Sequence, residues 1–366
     1  MRVLVVNAGS STLRLALLDS DDRLLGAREL PAVAGGVDAV ELGRALAEGL
    51  DEADAVGYRI VHGGERFQEA LAIDAAVEAA LRDLIDLAPL HQPKSLAALE
   101  AVSALLPGAT AVACFDTAFH ATLPAAARTY ALPASWRERW PLRRFGFHGL
   151  SHAWVARRAP ELLATSRSAA RIVSCHLGAG ASLCAIADGR SLDTTMGFTP
   201  LEGLVMATRS GSVDPGMLLW LLERSEMTER ELASALEQRS GLLGLAGSAD
   251  MRAVLERAQA GHDESKLALD VYVHRLRAGI AAMAASLGGL DVLAFTGGVG
   301  ENAARVRALA VAGLAFLGVG IDERRNADVE EDAVITAAGC DAHTVVIRAR
   351  EDLEIARQVR RVLGAS

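Results

Sequence analysis

Two arginines, an aspartate and several histidines stand in short polar segments within apolar sequence. Arg59 lies in an apolar run just before two glycines, and Arg209 lies in a loop of small residues. Asp116 ends an apolar stretch, and His148 is flanked by glycines. Guanidinium groups bind carboxylate and phosphate oxygens through two parallel hydrogen bonds. Together these residues predict a site that binds anions.

Each of these residues also has an ordinary structural explanation. Taken singly, an arginine is a salt-bridge partner, an aspartate a turn or cap residue, and a histidine a satisfied core residue. A zinc site is a further alternative, although its histidines lack the close pair spacing of most zinc ligands. Its four candidates are His91, His120, His148 and His152. No Ser-His-Asp order or Cys-x-x-Cys pattern points to a different chemistry.

Three segments rich in glycine or other small residues occur along the chain, at 7–12, 176–182 and 295–302. Small residues let backbone N–H groups approach an anion without Cβ clashes, and hydroxyl groups add donors. The third segment follows an apolar strand and opens a helix, where free N–H groups and the helix dipole favour phosphate. None carries the Walker lysine motif. Each segment alone is explained as a turn, whereas the presence of three such segments in one chain favours a nucleotide-binding site.

The pattern of strands around these loops occurs twice. An apolar strand at 2–6, a polar loop and an alternating strand at 13–17 lead to an acidic turn and a third strand at 24–30. The segments 171–178 and 183–187 repeat this order, with an acidic turn following. Two readings are open: a coincidence between ordinary hairpins, or a duplicated lobe that holds a ligand between two similar loops.

Length and charge narrow the function classes. The 366 residues are 51% hydrophobic, which is ample for about two domains. The net charge of −9, without a basic run, argues against a nucleic-acid partner. The apolar run at 2–6 is too short for a signal-peptide core, and the uncharged stretch at 278–290 is too short to cross a bilayer. We therefore expect a cytoplasmic protein with no membrane partner, whose four cysteines are buried, reduced thiols.

At these motifs the chain resembles the acetate kinase family, within the sugar kinase, Hsp70 and actin superfamily. The resemblance covers nearly the whole chain in order. The matching segments are 7–11, 59–65, 88–93, 115–120, 147–152, 193–204, 208–211 and 296–302.

The resemblance implies an α/β fold of two actin-like (ribonuclease H-like) lobes, each with a duplicated βββαβαβα core, and a cleft between the lobes. The first lobe, on the carboxylate side, would comprise 1–120 and 352–366, because the last helix is amphipathic and returns to it. The second lobe, at 121–351, would bind nucleotide and form a homodimer.

It also implies the activity: a transferase that phosphorylates acetate with ATP, and catalyses the reverse reaction of acetyl phosphate with ADP, by direct in-line transfer. The implied metal is Mg²⁺, or Mn²⁺ in its place. Alternatives are a propionate or butyrate kinase, or a catalytically weak nucleotide-binding module. The partners expected are ATP and acetate or another short-chain carboxylate.

The roles that the resemblance implies fall into five sets. Asp116, Arg209, His148 and Arg59 would be catalytic, with His148 and Arg209 stabilising the transition state. Arg59, Val61, Leu90, Phe147 and Pro200 would bind the carboxylate substrate. His91 and His176 would steady the phosphates, and Asn7 and Glu351 would lie on the metal side. The nucleotide residues would be Ser10, Thr12, Arg14, His176, Gly178, Gly180, Asp250, Met251, Arg252, Gly297, Gly298, Val299, Gly300 and Glu301.

The chain departs from the family pattern at several of these motifs. Ala179 replaces an asparagine that would contact nucleotide phosphates, and Ala207 replaces a glycine in the Arg209 loop. Ser212 stands where an acidic residue is common, and Arg350 precedes Glu351 in place of asparagine. These changes bear on nucleotide affinity and donor preference more than on the class of reaction.

Overall fold

The chain divides into two compact units. The computed structural model describes residues 1–9, 12–31, 38–89, 91–164 and 170–365. The first unit comprises Met1–Ala121, Phe147–Trp154 and Arg350–Ser366, and the second comprises Thr122–Gly146 and Val155–Ala349.

The segment Phe147–Trp154 belongs to the first unit, as do Ala121, Arg350 and Glu351, whereas the domain bounds expected from the sequence gave all of these to the second lobe. It belongs to the first unit because Leu150 packs in the core cluster that contains Val112 and Cys114. Long-range packing of this kind leaves no mark in the local pattern of residues. The division of roles between the two units stays a prediction.

Each unit is built on a six-stranded sheet. The strands of the first are β1 (Val3–Ala8), β2 (Thr12–Leu18), β3 (Leu24–Pro31), β4 (Ala55–Ile60), β5 (Leu71–Ala72) and β6 (Thr110–Phe115). Those of the second are β7 (Ile172–Leu177), β8 (Ala181–Ala187), β9 (Arg190–Thr194), β10 (Val292–Thr296), β11 (Ala333–Val334) and β12 (His343–Val346).

The two sheets have the same topology. The first has the order β3-β2-β1-β4-β6-β5, and the second, read in the same sense, has the order β9-β8-β7-β10-β12-β11. In both, the first three strands are antiparallel, the two long strands that follow are parallel to the first strand, and a short antiparallel strand closes the edge. Even the register irregularity between the second and third strands recurs. The repeat seen in the sequence is therefore a duplicated unit, and β5 and β11 are strands that the expected core lacks.

The helices in chain order, leaving out short 3₁₀ turns, are bounded as follows. They are α1 (Ala39–Ala47), α2 (Ala75–Arg82), α3 (Gln92–Leu105), α4 (Ala125–Arg128), α5 (Ala134–Arg139), α6 (Gly149–Leu162), α7 (Pro215–Arg224), α8 (Glu229–Gln238), α9 (Gly241–Ala246), α10 (Met251–Gln259), α11 (Asp263–Ser286), α12 (Gly297–Asn302), α13 (Ala304–Ala312), α14 (Glu323–Ala327) and α15 (Glu351–Val362). Within the described ranges no helix combines the length and apolarity that crossing a bilayer requires.

The last helix, α15, packs directly on the sheet of the first unit. A Cβ on Gly57 of β4 would lie 2.5 Å from Ile355 Cγ2 and 2.7 Å from Val359 Cγ2, so only glycine leaves room for this helix. Ile355 and Val359 share a core cluster with Val3 and Val5 of β1. This packing holds the start of α15, and with it Glu351, against the same unit as β1 and β4.

The cysteines are free thiols, as the sequence predicts, but the prediction that all four are buried is wrong for Cys340. Cys114, Cys175 and Cys184 are buried, and Cys340 is partly exposed. Burial raises the pKa of Cys184 to about 12, and it raises the pKa of Cys114 and Cys175 as well. The three buried thiols therefore stay protonated and unreactive at neutral pH.

Candidate active site

Arg59 and Asp116 form a bidentate ion pair in the first unit. Arg59 is in β4 and Asp116 directly follows β6, its parallel neighbour, so both lie at the carboxyl ends of adjacent strands. Arg59 Nη2 donates to Asp116 Oδ2 at 2.6 Å, and Nε lies 3.1 Å from both carboxylate oxygens. The aspartate side chain is 1% exposed and the arginine side chain 16%. The ion pair thus fixes the orientation of the Arg59 guanidinium through its Nε and Nη2 side, which faces Asp116.

Asn7 and Glu351 complete this cluster. Asn7, near the end of β1, accepts from Arg59 Nη1 at 3.1 Å, and its Nδ2 donates to Glu351 Oε2 at 2.9 Å. Glu351 Oε2 lies 3.9 Å from Arg59 Nε. These contacts occupy three of the five N–H groups of Arg59. The remaining two are available to bind an anion.

Burial sets the protonation of the pair. It raises the pKa of Asp116, and Glu351 adds to this, whereas Arg59 acts in the opposite direction. The pKa of Arg59 is above its ordinary value, because attraction to Asp116 and Glu351 outweighs the effect of burial. The guanidinium is therefore a permanent cation. The Asp116 carboxylate is engaged by Arg59, and its side chain is almost fully buried.

His148 lies at the start of α6, beside Asp116. It has a left-handed backbone, with φ 56°, which is uncommon for a residue other than glycine. Gly149 N donates to Asp116 O at 2.9 Å, and a Cβ on Gly149 would lie only 2.1 Å from that oxygen. The turn that carries His148 is thus held against the residue that holds Arg59. Such local strain at a helix start is typical of functional positions.

The apolar residues predicted for the carboxylate pocket are partly in this unit. Val61 is 6% exposed and Phe147 is 1% exposed. Phe147 packs edge-on against His62 with ring centroids 5.4 Å apart, and its carbonyl accepts from His120 Nε2 at 3.0 Å. Leu90 and Ser10 lie outside the described residues. Pro200 belongs to the second unit.

His91, Thr12 and Arg14 also belong to the first unit. His91 is at the N-cap of α3. Thr12 begins β2, and Arg14 is an exposed residue of β2 whose Nε is 3.3 Å from Glu29 Oε2. The roles proposed for these three residues stay predictions.

Arg209 is oriented by two contacts within the second unit. Its Nη1 donates to the carbonyl oxygen of Pro200 at 2.8 Å, and its Nε lies 3.7 Å from Glu237 Oε2. Its loop is tied to neighbouring helices: Ser240 N bonds to Thr208 O at 2.9 Å, and Leu242 N bonds to Met206 O at 2.9 Å. The side chain of Arg209 is therefore oriented by these contacts, and its loop is anchored to α8 and α9.

A pocket of about 380 Å³ opens in the second unit. That volume is in the range of nucleotide and cofactor sites. Six of the predicted nucleotide residues line it: Gly178, Asp250, Met251, Arg252, Gly298 and Val299. They come from the β7–β8 loop, the start of α10 and the start of α12, so folding gathers two of the three small-residue segments at one cavity.

The other predicted nucleotide residues of this unit support the pocket wall. His176 is at the end of β7, and a Cβ on Gly178 would lie 3.8 Å from its Nε2. Gly180 O accepts from Gly178 N at 2.9 Å, which closes the β7–β8 loop. Glu301 Oε1 accepts from the backbone N–H groups of Gly297 and Ala349, at 3.0 and 2.9 Å. Glu301 therefore braces the glycine-rich segment through its backbone, which the motif alone does not reveal.

Several lining residues were not predicted. Ala179 and Ala207 face the pocket, as do Leu242, Leu255 and Tyr272. Ala179 and Ala207 were noted only as departures, and they give an apolar wall where the family pattern has an asparagine and a glycine. Glu237, which faces Arg209, was also missed. Glu237, Leu242, Leu255 and Tyr272 lie on α8, α9, α10 and α11, and nothing in helical periodicity distinguishes these four from ordinary core or surface residues.

Asn7 and Glu351, predicted to lie on the metal side, supply only part of the ligands that Mg²⁺ needs. Among the described residues there is no group of three histidine, cysteine or acidic side chains arranged to hold a metal ion, which leaves the zinc alternative without support. Asn7 and Glu351 offer one amide and one carboxylate, already in contact. Mg²⁺ is commonly held by one or two carboxylates together with substrate phosphates and water. Asn7 and Glu351 therefore fit a Mg²⁺ ion that binds together with the phosphates of the nucleotide.

The chain has two α/β units of identical topology. One carries a fixed arginine, and the other carries a glycine-lined pocket. These features are typical of a phosphotransferase, specifically a kinase built from a duplicated unit. Residues 32–357 match the model of the acetokinase family. The chain therefore belongs to the acetokinase family.

Relatives and solved structures agree with this assignment. The chain is 50% identical to an acetate kinase of Gloeobacter violaceus over 84% of this chain and 76% of that protein. The crystal structure of Porphyromonas gingivalis acetate kinase matches with a TM-score of 0.90 and 34% identity, over 99% of both chains. A propionate kinase of Francisella tularensis matches with a TM-score of 0.90 and 33% identity, over 98% of both. The predictions of an actin-like α/β fold and of kinase activity are thereby confirmed.

Proposed function

We propose that this protein transfers a phosphoryl group reversibly between ATP and a short-chain carboxylate, with acetate as the principal substrate. The observation that carries the proposal is the Arg59 guanidinium, fixed by Asp116 and Asn7 with two N–H groups to spare. That geometry suits a planar carboxylate or phosphate. The reaction needs little covalent help from the protein, so positioning and charge neutralisation supply most of the catalysis.

In this proposal Arg59 orients the substrate carboxylate. Asp116 does not touch substrate, because its oxygens are engaged by Arg59 and it lies almost fully buried. His148 donates from its imidazole to the transferring phosphoryl group, on a turn anchored to Asp116. His91 contributes a further donor to the phosphate oxygens.

Arg209 neutralises the charge that develops on the phosphoryl group in the transition state. It carries a permanent charge and is held by Pro200 and Glu237, so little reorganisation is needed as the reaction proceeds. The pocket beside Gly178 and Gly298 takes the adenosine part of the nucleotide. His176 and the backbone of the glycine-rich loops lie beside the phosphates.

Glu351 and Asn7 would hold Mg²⁺ together with the phosphates, either directly or through water. The ion, or Mn²⁺ in its place, would neutralise the β- and γ-phosphate oxygens.

Substrate length follows from the apolar residues Val61, Phe147 and Pro200. One methylene in such a pocket changes binding by about 1–3 kcal/mol, so acetate and propionate are expected to overlap as substrates. The similarity to a protein named propionate kinase makes propionate the second candidate.

The test is a comparison of kcat/KM for acetate, propionate and butyrate with ATP and Mg²⁺, with the acyl phosphate trapped by hydroxylamine. We expect acetate to have the highest value and propionate a lower, measurable one. A higher value for propionate would make it the principal substrate. Binding of ATP without phosphorylation of any of the three acids would support the alternative of a weak nucleotide-binding module.

We also propose that the protein is a cytoplasmic homodimer. Helix α7 leaves Met217, Leu219 and Trp220 between 43% and 63% exposed, which is unusual for large apolar side chains grouped on one helix. A second copy of the chain would cover them. Light scattering coupled to size-exclusion chromatography measures the mass, and a monomer at micromolar concentration would contradict the proposal.

A further inference from the structure

The loop at 195–203 supports the carbonyl group that orients Arg209. Arg209 Nη1 donates to Pro200 O at 2.8 Å, so a shift of Pro200 would move the guanidinium with it. Ser212 holds the last residue of the loop, because its Oγ accepts from Gly203 N at 3.0 Å and its own N–H donates to Gly203 O at 3.0 Å. This loop therefore supplies one of the contacts that orient the Arg209 guanidinium.

Three side chains brace this loop, and we call them the loop clamp: Tyr130 and Arg144 bind it from other segments, and Glu202 belongs to the loop itself. Tyr130 Oη donates to Glu202 Oε2 at 2.5 Å and accepts from Phe198 N at 2.9 Å. Arg144 Nη2 donates to Glu202 Oε1 at 2.8 Å. Both carboxylate oxygens of Glu202 are thus satisfied within the clamp, and the phenol reaches the loop backbone directly.

Arg144 binds the other end of the loop. Its Nη1 donates to Thr195 O at 3.1 Å and to Met196 O at 3.0 Å. The backbone beyond Arg144 continues this contact, since Phe145 N donates to Gly197 O at 3.0 Å. A single guanidinium therefore connects the Glu202 carboxylate with two carbonyl groups of the loop.

The closeness of the clamp to the backbone depends on Gly197. A Cβ there would lie 1.7 Å from Glu202 Oε2 and 2.2 Å from Tyr130 Oη, so no other residue permits this arrangement. The Tyr130 phenol is half-buried, and burial raises its pKa. It therefore remains a hydrogen-bond donor at any working pH.

We propose that Tyr130, Arg144 and Glu202 are positioning residues that fix the Pro200 carbonyl and, through it, the orientation of Arg209. This rests on the proposed role of Arg209 in phosphoryl transfer. Charge neutralisation is effective only when the cation is already in place. A misplacement of about 1 Å can lower a rate by about a hundredfold.

The test uses Tyr130→Phe and Glu202→Gln, each of which removes one function of the clamp with little change in volume. We expect each to lower kcat/KM for the carboxylate by about tenfold, chiefly through kcat, and to leave KM for ATP within about twofold. The double variant should be little worse than the poorer single variant, because the residues act as one unit. Hydrogen exchange at the Phe198 amide should be faster in Tyr130→Phe.

Coupling to Arg209 distinguishes a positioning role from a merely structural one. In an Arg209→Ala background, Tyr130→Phe should cause no further loss of the residual turnover. Tyr58→Phe is the matched control, since it deletes a buried phenol bonded only to Ser103 Oγ at 3.1 Å, in the other unit. It should retain wild-type kinetics.

Three results would overturn the proposal. They are wild-type kcat/KM in folded Tyr130→Phe and Glu202→Gln, an equal rise of KM for both substrates, and an additive loss in the Arg209→Ala background. If the wild-type protein phosphorylates no carboxylate, the proposed function fails instead. The exchange rate at Phe198 then tests the clamp by itself, and an unchanged rate in Tyr130→Phe would reject it.

Discussion

Arg59 and Asp116 face each other from neighbouring parallel strands, with Arg59 Nη2 2.6 Å from Asp116 Oδ2. The aspartate is almost completely buried, whereas the arginine keeps one side accessible. In the proposed function, the Asp116 carboxylate therefore orients the guanidinium, and the guanidinium binds the substrate. The predictions below begin from this pair.

Asp116→Asn should lower turnover by about tenfold to a hundredfold, because Arg59 loses its bidentate partner and can rotate toward Glu351. Steady-state kinetics with acetate and ATP measures the change. Asp291→Asn is the matched control, because Asp291 forms a similar bidentate pair with Arg171 at 2.7 and 3.2 Å on the second unit. The control should lose stability but keep its turnover per folded molecule. Equal kinetic losses in both variants would mean that Asp116 is purely structural.

Arg209→Ala should reduce turnover by at least a hundredfold with little loss of folded stability, because its charge acts on the transition state. Activity assays and thermal unfolding of the same preparation provide the comparison. Arg158→Ala removes an arginine paired with Asp332 at 2.6 Å and should leave turnover unchanged. Near-normal turnover in folded Arg209→Ala would remove this residue from the catalytic set.

Gly241→Ala should destabilise the protein and impair the Arg209 loop. Gly241 has φ 61°, and a Cβ would lie 2.2 Å from Met206 O and 2.7 Å from Arg209 O. Gly247→Ala is the control, because Gly247 has φ 66° but no atom within 4 Å of the added Cβ. Both variants bear backbone strain of about 1 kcal/mol, and the clash adds about 1–3 kcal/mol at Gly241 alone. Urea unfolding measures the difference, and equal losses would contradict the prediction.

Glu237 should make stability depend on pH. Burial raises its pKa above 4.5, and Arg209 only partly opposes this effect. A carboxyl group with a raised pKa binds more protons in the folded state, so the free energy of unfolding falls as pH rises from about 4.5 through the folded pKa. Glu237→Gln removes this titration. We therefore expect the variant to gain stability relative to wild type between about pH 4.5 and 7, as measured by urea unfolding. A constant difference, or one of opposite sign, would show that the ion pair with Arg209 dominates.

Local pattern determined much of the architecture and the chemical class. The apolar run before Asn7, the acidic turns and the recurring strand order indicated strands and hairpins, because strand alternation and turn chemistry act over a few residues. Whether the repeat was a duplicated unit stayed open on these patterns, and the family resemblance implied that it was. The residue types of Arg59, Asp116 and Arg209 indicated anion chemistry, since guanidinium geometry is intrinsic to the side chain. The motifs around them indicated the family.

Tertiary structure decided which of these residues touch and what each contact does. Asn7 and Glu351 are separated by 344 positions, yet they are hydrogen-bonded. Glu301 matched a nucleotide motif but braces backbone N–H groups, and Tyr130, Arg144 and Glu202 matched no functional motif but hold the loop beneath Arg209. Contacts between distant segments depend on how helices and strands pack, and periodicity within a short window carries no record of that packing.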